Sequence, residues 1–284
     1  MQVAPSAYWR HAARVSNPDL CCRRAKRDAE LVTVIKQVWT VNFRVYGARK
    51  VWRELGRQGH QVARCTVERL MAKHGMQGVR RGKVVRTTVP DEKALCPLDL
   101  VRRQFHADRP NRLWVADFTY VSTWQGWVYV AFVIDVFACR IVGWRMSSSM
   151  TSDFVLDALE QAIYARKSGD NEELVHHSDR GSQYLSIRYT DRLTEAGIKA
   201  SVGTTGDSYD NALAETINGL YKTELIHHQG PWKTKSALEM ATLAWVAWFN
   251  NQRLLSSIGY IPPAEAEMNY YRQKQSEVLE SEAL

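Results

Sequence analysis

The sequence has no uninterrupted apolar run near the ~20 residues that a membrane span requires. Its first thirty residues carry Arg10, Arg14, Arg23, Arg24, Lys26 and Arg27 but not the apolar stretch of a secretory signal. A membrane partner is therefore not expected, and a soluble intracellular protein is. Cysteine is sparse. Cys21, Cys22, Cys65, Cys96 and Cys139 form an odd set without a Cys-x-x-Cys pair, which argues against a disulfide framework or a thiolate zinc knuckle and for reduced thiols. A glycine-framed serine elbow is missing as well: Ser178 stands beside Asp179 with no base placed for it, so a hydrogen-bonding hydroxyl is the modest reading. Against these absences stands a chain of 284 residues that is 45% apolar, enough for a real core and for about two domains at ~100 to 200 residues each.

The formal net charge of +8 hides an uneven distribution. Up to His106 there are 22 Lys and Arg against 8 Asp and Glu; from Ala107 onward there are 16 against 22. A basic first part suggests a footprint for a polyanion, and an acidic second part suits a carboxylate cluster awaiting cations.

In the basic part, Leu31, Val34, Ile35, Val38 and Trp39 repeat at helical spacing and predict a helix over 28–42. A second helix follows Gly47, with Val51, Trp52 and Leu55 inward and Gly56 and Gly59 at its end. A third spans about 63–73, with Val67, Leu70 and Met71 inward, and stops at Gly75. Two short helices around a glycine-containing turn fit a helix-turn-helix that presents Arg64, Arg69 and Lys73 outward as DNA contacts, although any three-helix bundle shows the same stripes. The segment RRGKVVR then supplies Arg80, Arg81 and Lys83 to a basic linker, which could follow a phosphate backbone or simply be a solvated charge run.

In the acidic part, 113–120, 127–136 and 140–146 read as three successive strands, with Gly126 breaking the first pair. A helix over 153–165, a strand over 174–178, a helix over 184–196 and a strand over 198–202 follow. A strand meander passing into alternating helices and strands predicts an α/β domain, a ribonuclease-H-like mixed sheet with helices on both faces. A small all-α helix-turn-helix domain precedes it. The expected boundaries are a basic arm (1–27), the helix-turn-helix (28–78), the basic linker (79–106), the catalytic core (107–228) and a C-terminal helical extension (229–284).

Three acids stand in unusual contexts: Asp117 in WVADFTY, Asp179 in HHSDRGSQY and Glu215 in YDNALAETINGLYK, with 35 residues between the second and third. Asp117 falls on the first strand and Asp179 just past the fourth, where ligand-binding groups of α/β sheets collect. Glu215 lies in the first two turns of a helix that Asp210 or Asn211 can cap, after a glycine-rich loop. Lys222, seven residues on, returns to within roughly 20° of Glu215 and about 10 Å along the axis. The other acids and histidines have plainer readings. Asp135 is a turn former or strand-end cap, Asp207 and Asp210 are loop and cap residues, and Glu224 falls on the opposite helix face from Glu215. Of His176 and His177, strand neighbours facing opposite ways, at most one reaches the site.

The segments WVADFTY, VIDVFACRIVGW, HHSDRGSQY, SYDNALAETINGLYKTEL and WFNNQRLLSSIGYIPPAEAE together resemble the second-reading-frame product of insertion-sequence transposases of the retroviral-integrase superfamily, over about 45–268. The resemblance implies a catalytic and metal-binding triad of Asp117, Asp179 and Glu215, with Lys222 contacting the DNA end; Arg180, inside HHSDRGSQY, is a further candidate DNA contact. It implies two Mg²⁺ or Mn²⁺ ions that activate the attacking oxygen and stabilise the leaving one in both end cleavage and strand joining. Expected partners are double-stranded DNA (element ends and target), further copies of the chain on that DNA, and the product of an upstream reading frame that supplies a second DNA-binding domain and a coiled coil. The expected setting is the cytoplasm of a bacterium, at its nucleoid. Two departures from the family pattern concern the helix-turn-helix and the C-terminal region: Ala63 stands where a capping Ser is common, costing about 1 kcal/mol, and Leu255 where His is frequent. Two rival readings, a DNA-binding regulator without catalysis and a nuclease that only hydrolyses, are separated by metal-dependent cutting of a terminal-repeat duplex and by products longer than the input strands.

Overall fold

A computed structural model describes residues 4–82, 107–166, 173–179, 183–184, 186–202 and 212–282. Its contacts divide the chain into two compact units, Met1–Val79 and Arg80–Leu284.

The first unit is helical. Residues expected only as a basic arm form α1 (Pro5–Ser16), with Pro5 in the first turn where its missing N–H costs nothing. Helix α2 (Arg23–Val41) starts five residues before the expected start at Asp28, and buries Ile35 and Val38. Helices α3 (Ala48–Arg57) and α4 (Arg64–Lys73) bury Val51, Leu55, Val67, Leu70 and Met71 against it. Gly59 and Gly75 follow α3 and α4 with φ of +86° and +66°, the left-handed backbone that lets a chain leave a helix cheaply. The cap of α4 is Ala63, so no side-chain oxygen accepts from its first turn.

The second unit is built on one sheet of order β3-β2-β1-β4-β5. Strands β1 (Leu113–Thr123), β2 (Gly126–Asp135) and β3 (Arg140–Ser147) form an antiparallel meander, and β4 (Val175–Ser178) and β5 (Lys199–Val202) add in parallel beside β1. Helices α5 (Ser152–Ala165) and α6 (Ile187–Glu195) cover one face, where Trp114, Ala116, Ala131, Val133 and Val142 pack against Phe154, Leu159, Tyr189 and Leu193. Close packing here depends on Gly143, because a Cβ at that position would sit 2.1 Å from the Ala158 carbonyl oxygen.

The other face receives α7 (Ala212–Tyr221) and, after a π-helical turn (Lys222–Ile226) and the single turn α8 (His227–Gln229), α9 (Lys235–Asn251). Phe132 of β2 packs its ring 5.2 Å from Tyr221 and 6.1 Å from Trp245. The chain ends in α10 (Pro263–Glu282), whose buried Glu267 is bound by Arg140 and Arg166. A mixed sheet with helices on both faces is the ribonuclease-H-like arrangement expected from the sequence, and the all-α helix-turn-helix unit precedes it. The predicted helix over 184–196 is shorter than expected, since Tyr184 lies in the turn before α6 and spends its ring in the core. No described helix is long and apolar enough to cross a membrane.

Candidate active site

Asp117 occupies the middle of β1 and faces α7. Strand alternation sends Trp114, Ala116 and Phe118 to the α5 side, and Asp117 pairs directly with Phe132, whose ring lies under α7. Asn218 of α7 closes the contact, donating from Nδ2 to Asp117 Oδ2 at 2.9 Å, while the Phe118 N–H reaches Oδ1 at 2.8 Å.

Strand β4 runs parallel to β1 in the register Leu113 with Val175 through Ala116 with Ser178. Asp179 follows β4 directly, one residue past that register, and its charge acts on Asp117. The two carboxylates repel. Burial first and the Asp179 charge second outweigh the lowering hydrogen bonds of Phe118 and Asn218, and with a last, smallest push from Glu215 they drive the Asp117 carboxyl up to about 8. The site thus biases the Asp117 carboxyl toward its protonated form.

Glu215 lies in the first turn of α7 and is exposed. Its charge acts on Asp117 across the gap between helix and sheet. The helix has α geometry only as far as Tyr221; Lys222 opens the π-helical turn, so the α-helical angle that related Lys222 to Glu215 applies only up to that junction. Such wider turns are common at functional sites. Lys222 places Nζ 4.9 Å from the Tyr120 ring centroid. Glu224, in the same turn, is buried and paired with Arg253 at 2.5 to 3.2 Å, a structural role in keeping with its low rank as a site residue.

The remaining candidates divide by location. Arg81 donates to the Glu215 and Thr216 carbonyl oxygens at 3.4 and 3.1 Å, so this linker residue lies on the helix that carries the third acid. Arg80 is exposed. Lys83, Arg180, Asp207, Asp210 and Asn211 lie outside the described residues. In the first unit Lys73 is exposed at the end of α4, Arg64 pairs with Glu68 at 3.1 Å, and Arg69 is committed to both oxygens of Asp28 at 2.9 Å, tying α4 to α2. A cleft of about 460 Å³ beside that pair is lined by Arg23, Arg24 and Arg27, three cations whose clustering the sequence reading did not use.

His176 faces α6, bonds Tyr189 Oη through Nε2 at 3.0 Å and is pushed down to about 3 by burial and by His177. It is a neutral core residue. His177 turns to the Asp117 side and is engaged through Nδ1 with Ser201 Oγ at 3.0 Å. Asp135 caps the end of β2, accepting from the Asn111 and Phe137 N–H groups. Among the described residues no three His, Cys, Asp or Glu side chains stand close enough to hold one ion as placed. The donor set still fits a hard divalent cation: it offers carboxylate oxygens, and the two outer charges that push the Asp117 carboxyl up are ones such an ion would offset. The residue that sequence reasoning missed is Asn218. Its signal was its position three residues after Glu215, one turn on along the same helix face.

The model of an HTH-like domain matches residues 26–84, and two models of an integrase core domain match residues 107–208 and 196–263. The transposase for insertion sequence element IS629 of Shigella sonnei is 59% identical over 271 residues, 95% of this chain and 90% of that protein. The putative transposase for insertion sequence element IS986/IS6110 of Mycobacterium tuberculosis is 55% identical over 278 residues, 97% of this chain and 98% of that protein. Among solved structures, the HTLV-2 integrase catalytic core domain in complex with magnesium has a TM-score of 0.45 at 19% identity, over 56% of this chain and 98% of that one. Full-length identity of this order, with an HTH-like domain ahead of an integrase core, makes the chain a member of the insertion-sequence transposases.

Proposed function

We propose that the chain cuts DNA at the ends of its insertion sequence and joins the freed 3′-hydroxyl to target DNA, using Asp117, Asp179 and Glu215 as one catalytic carboxylate set. The observation that supports this reading is that the charges of both Asp179 and Glu215 act on the buried Asp117 carboxyl. The three acids would hold two Mg²⁺ or Mn²⁺ ions, which when bound stabilise charge on the attacking and leaving oxygens.

The protein's own groups do the rest. Asn218 and the Phe118 N–H fix the Asp117 carboxylate before substrate arrives, so little reorganisation is left for the reaction itself. Lys222 lies at the end of the same helix and offers an ammonium to a neighbouring phosphate. Lys73 and the cations of the first unit retain the duplex, with Arg80, Arg81, Lys83 and Arg180 as further contacts. Because two element ends must meet, several copies act together on DNA; the product of an upstream reading frame is a further partner, and the bacterial nucleoid is where such a protein works.

The test is Asp179→Asn. It should lose cleavage and joining by orders of magnitude in Mg²⁺ or Mn²⁺ and still retain end-containing DNA in a mobility-shift assay. Full joining by this variant would overturn the assignment.

A further inference from the structure

The β1–β2 hairpin leaves three aromatic rings in solvent: Tyr120 is 43%, Trp124 69% and Trp127 57% exposed. They are held in place. Tyr120 and Trp127 meet edge to face at 5.3 Å, Lys222 Nζ stands 4.9 Å from the Tyr120 ring centroid, and Lys233 Nζ stands 5.3 Å from that of Trp124. The turn is pinned from outside: Trp124 N–H donates to the Trp232 carbonyl at 3.0 Å, and Lys235 N–H to Gln125 Oε1 at 3.1 Å. Within it, Thr123 Oγ1 donates to the Gly126 carbonyl at 2.7 Å.

Part of this surface lies on the strand that carries Asp117, with Tyr120, at an odd spacing, rooted on the strand's other side and met there by Lys222. Strand β4 pairs with β1 only through Ala116, so among the described residues β1 from Asp117 onward has no strand partner on that side. Tyr120 is three residues beyond Asp117, about 10 Å, and Trp124 seven, about 23 Å. Lys222, the residue after α7, spans from the Glu215 helix to the Tyr120 ring.

We propose that Tyr120, Trp124 and Trp127, interleaved with Lys222 and Lys233, form a stacking track for unpaired nucleotides of the DNA strand presented to the carboxylates. Rings give faces for bases and ammonium groups meet the phosphates between them, the pairing by which proteins hold single strands without reading sequence. A second copy of the chain is the poorer occupant, since the buried centre of a protein interface is depleted of charge and here each of two rings carries a lysine. A fully paired duplex hides its base faces, so the track selects strands that are splayed open. The proposal rests on the catalytic reading for which strand is bound, but not for whether one is.

The experiment measures binding without turnover, with the full chain in EDTA. Two probes are compared, an end-containing blunt duplex and the same duplex with a four-nucleotide single-stranded extension carrying 2-aminopurine. Wild-type protein should prefer the extended probe and quench its fluorescence. Trp124→Ala and Trp127→Ala should each weaken that preference by roughly fivefold or more, with duplex affinity unchanged and Trp127→Phe restoring most of it. Equal binding of both probes by wild type, or an unaltered preference in the double alanine variant, would overturn the track. So would a change in sedimentation mass with the preference intact, which would assign the rings to a second copy. Asp179→Asn keeps the two readings apart: retained preference with lost joining supports both, and retained preference with full joining removes only the catalytic assignment.

Discussion

Asp117 is the residue at which function costs stability. Its carboxyl is pushed from the ordinary 3.8 up to about 8, chiefly by burial and then by Asp179. The folded state therefore binds a proton that the unfolded chain releases, so this group's contribution is fully present below about pH 4 and is lost as pH rises through 8. In EDTA the thermal midpoint of the wild-type protein should fall between pH 5 and 9. Asp117→Asn, which keeps a polar side chain but carries no charge, should show a shallower fall and be the more stable protein at pH 9 while failing to join strands; equal slopes by calorimetry would show that Asp117 does not carry the cost. The sequence singles out Asp117 but not Asn218, whose bond to Asp117 spans a helix and a strand that only packing brings together.

At the scale of elements, the π-helical turn after α7 decides where two neighbouring charges go. Lys222 is sent toward Tyr120, and Glu224 into the interior, where it meets Arg253 with both side chains 5% exposed. Removing one partner leaves a buried unpaired charge, so Glu224→Ala or Arg253→Ala should lower unfolding free energy by about 3 to 5 kcal/mol in urea titration. Replacing both with apolar residues should cost less than the two single losses together; strict additivity would mean that the pair is not coupled. Helical periodicity puts Glu224 on the face away from Glu215, but it carries no sign of a wider turn or of the partner that follows α9.

At the scale of the whole molecule, charge divides as the chain does, with the cations concentrated before Ala107 and the acids after. The cations are not equivalent. Lys73 is exposed, whereas Arg69 is bound to Asp28 and joins α4 to α2. In binding to end-containing DNA at several salt concentrations, Lys73→Ala should reduce the slope of log affinity against log salt by about 0.9, the loss of one phosphate contact. Arg69→Ala should instead lower the melting temperature with a smaller change in slope, because its charge is already matched inside the protein. The reverse pattern would make Arg69 the DNA contact and Lys73 a bystander.

The strands of the meander, the helix stripes and the three acids were legible in the sequence because each depends on local information: periodicity of two or 3.6, turn residues, and carboxylates in apolar surroundings that no core would keep without purpose. Tertiary structure alone decided that α7 and α9 take the sheet face opposite α5 and α6, that β4 pairs with β1 in parallel from Leu113 to Ala116, and that among the described residues β1 has no strand partner on that side beyond Ala116. Those are matters of long-range pairing and of which surfaces bury one another. No window of neighbouring residues records them, because their free energy is earned between segments up to a hundred positions apart.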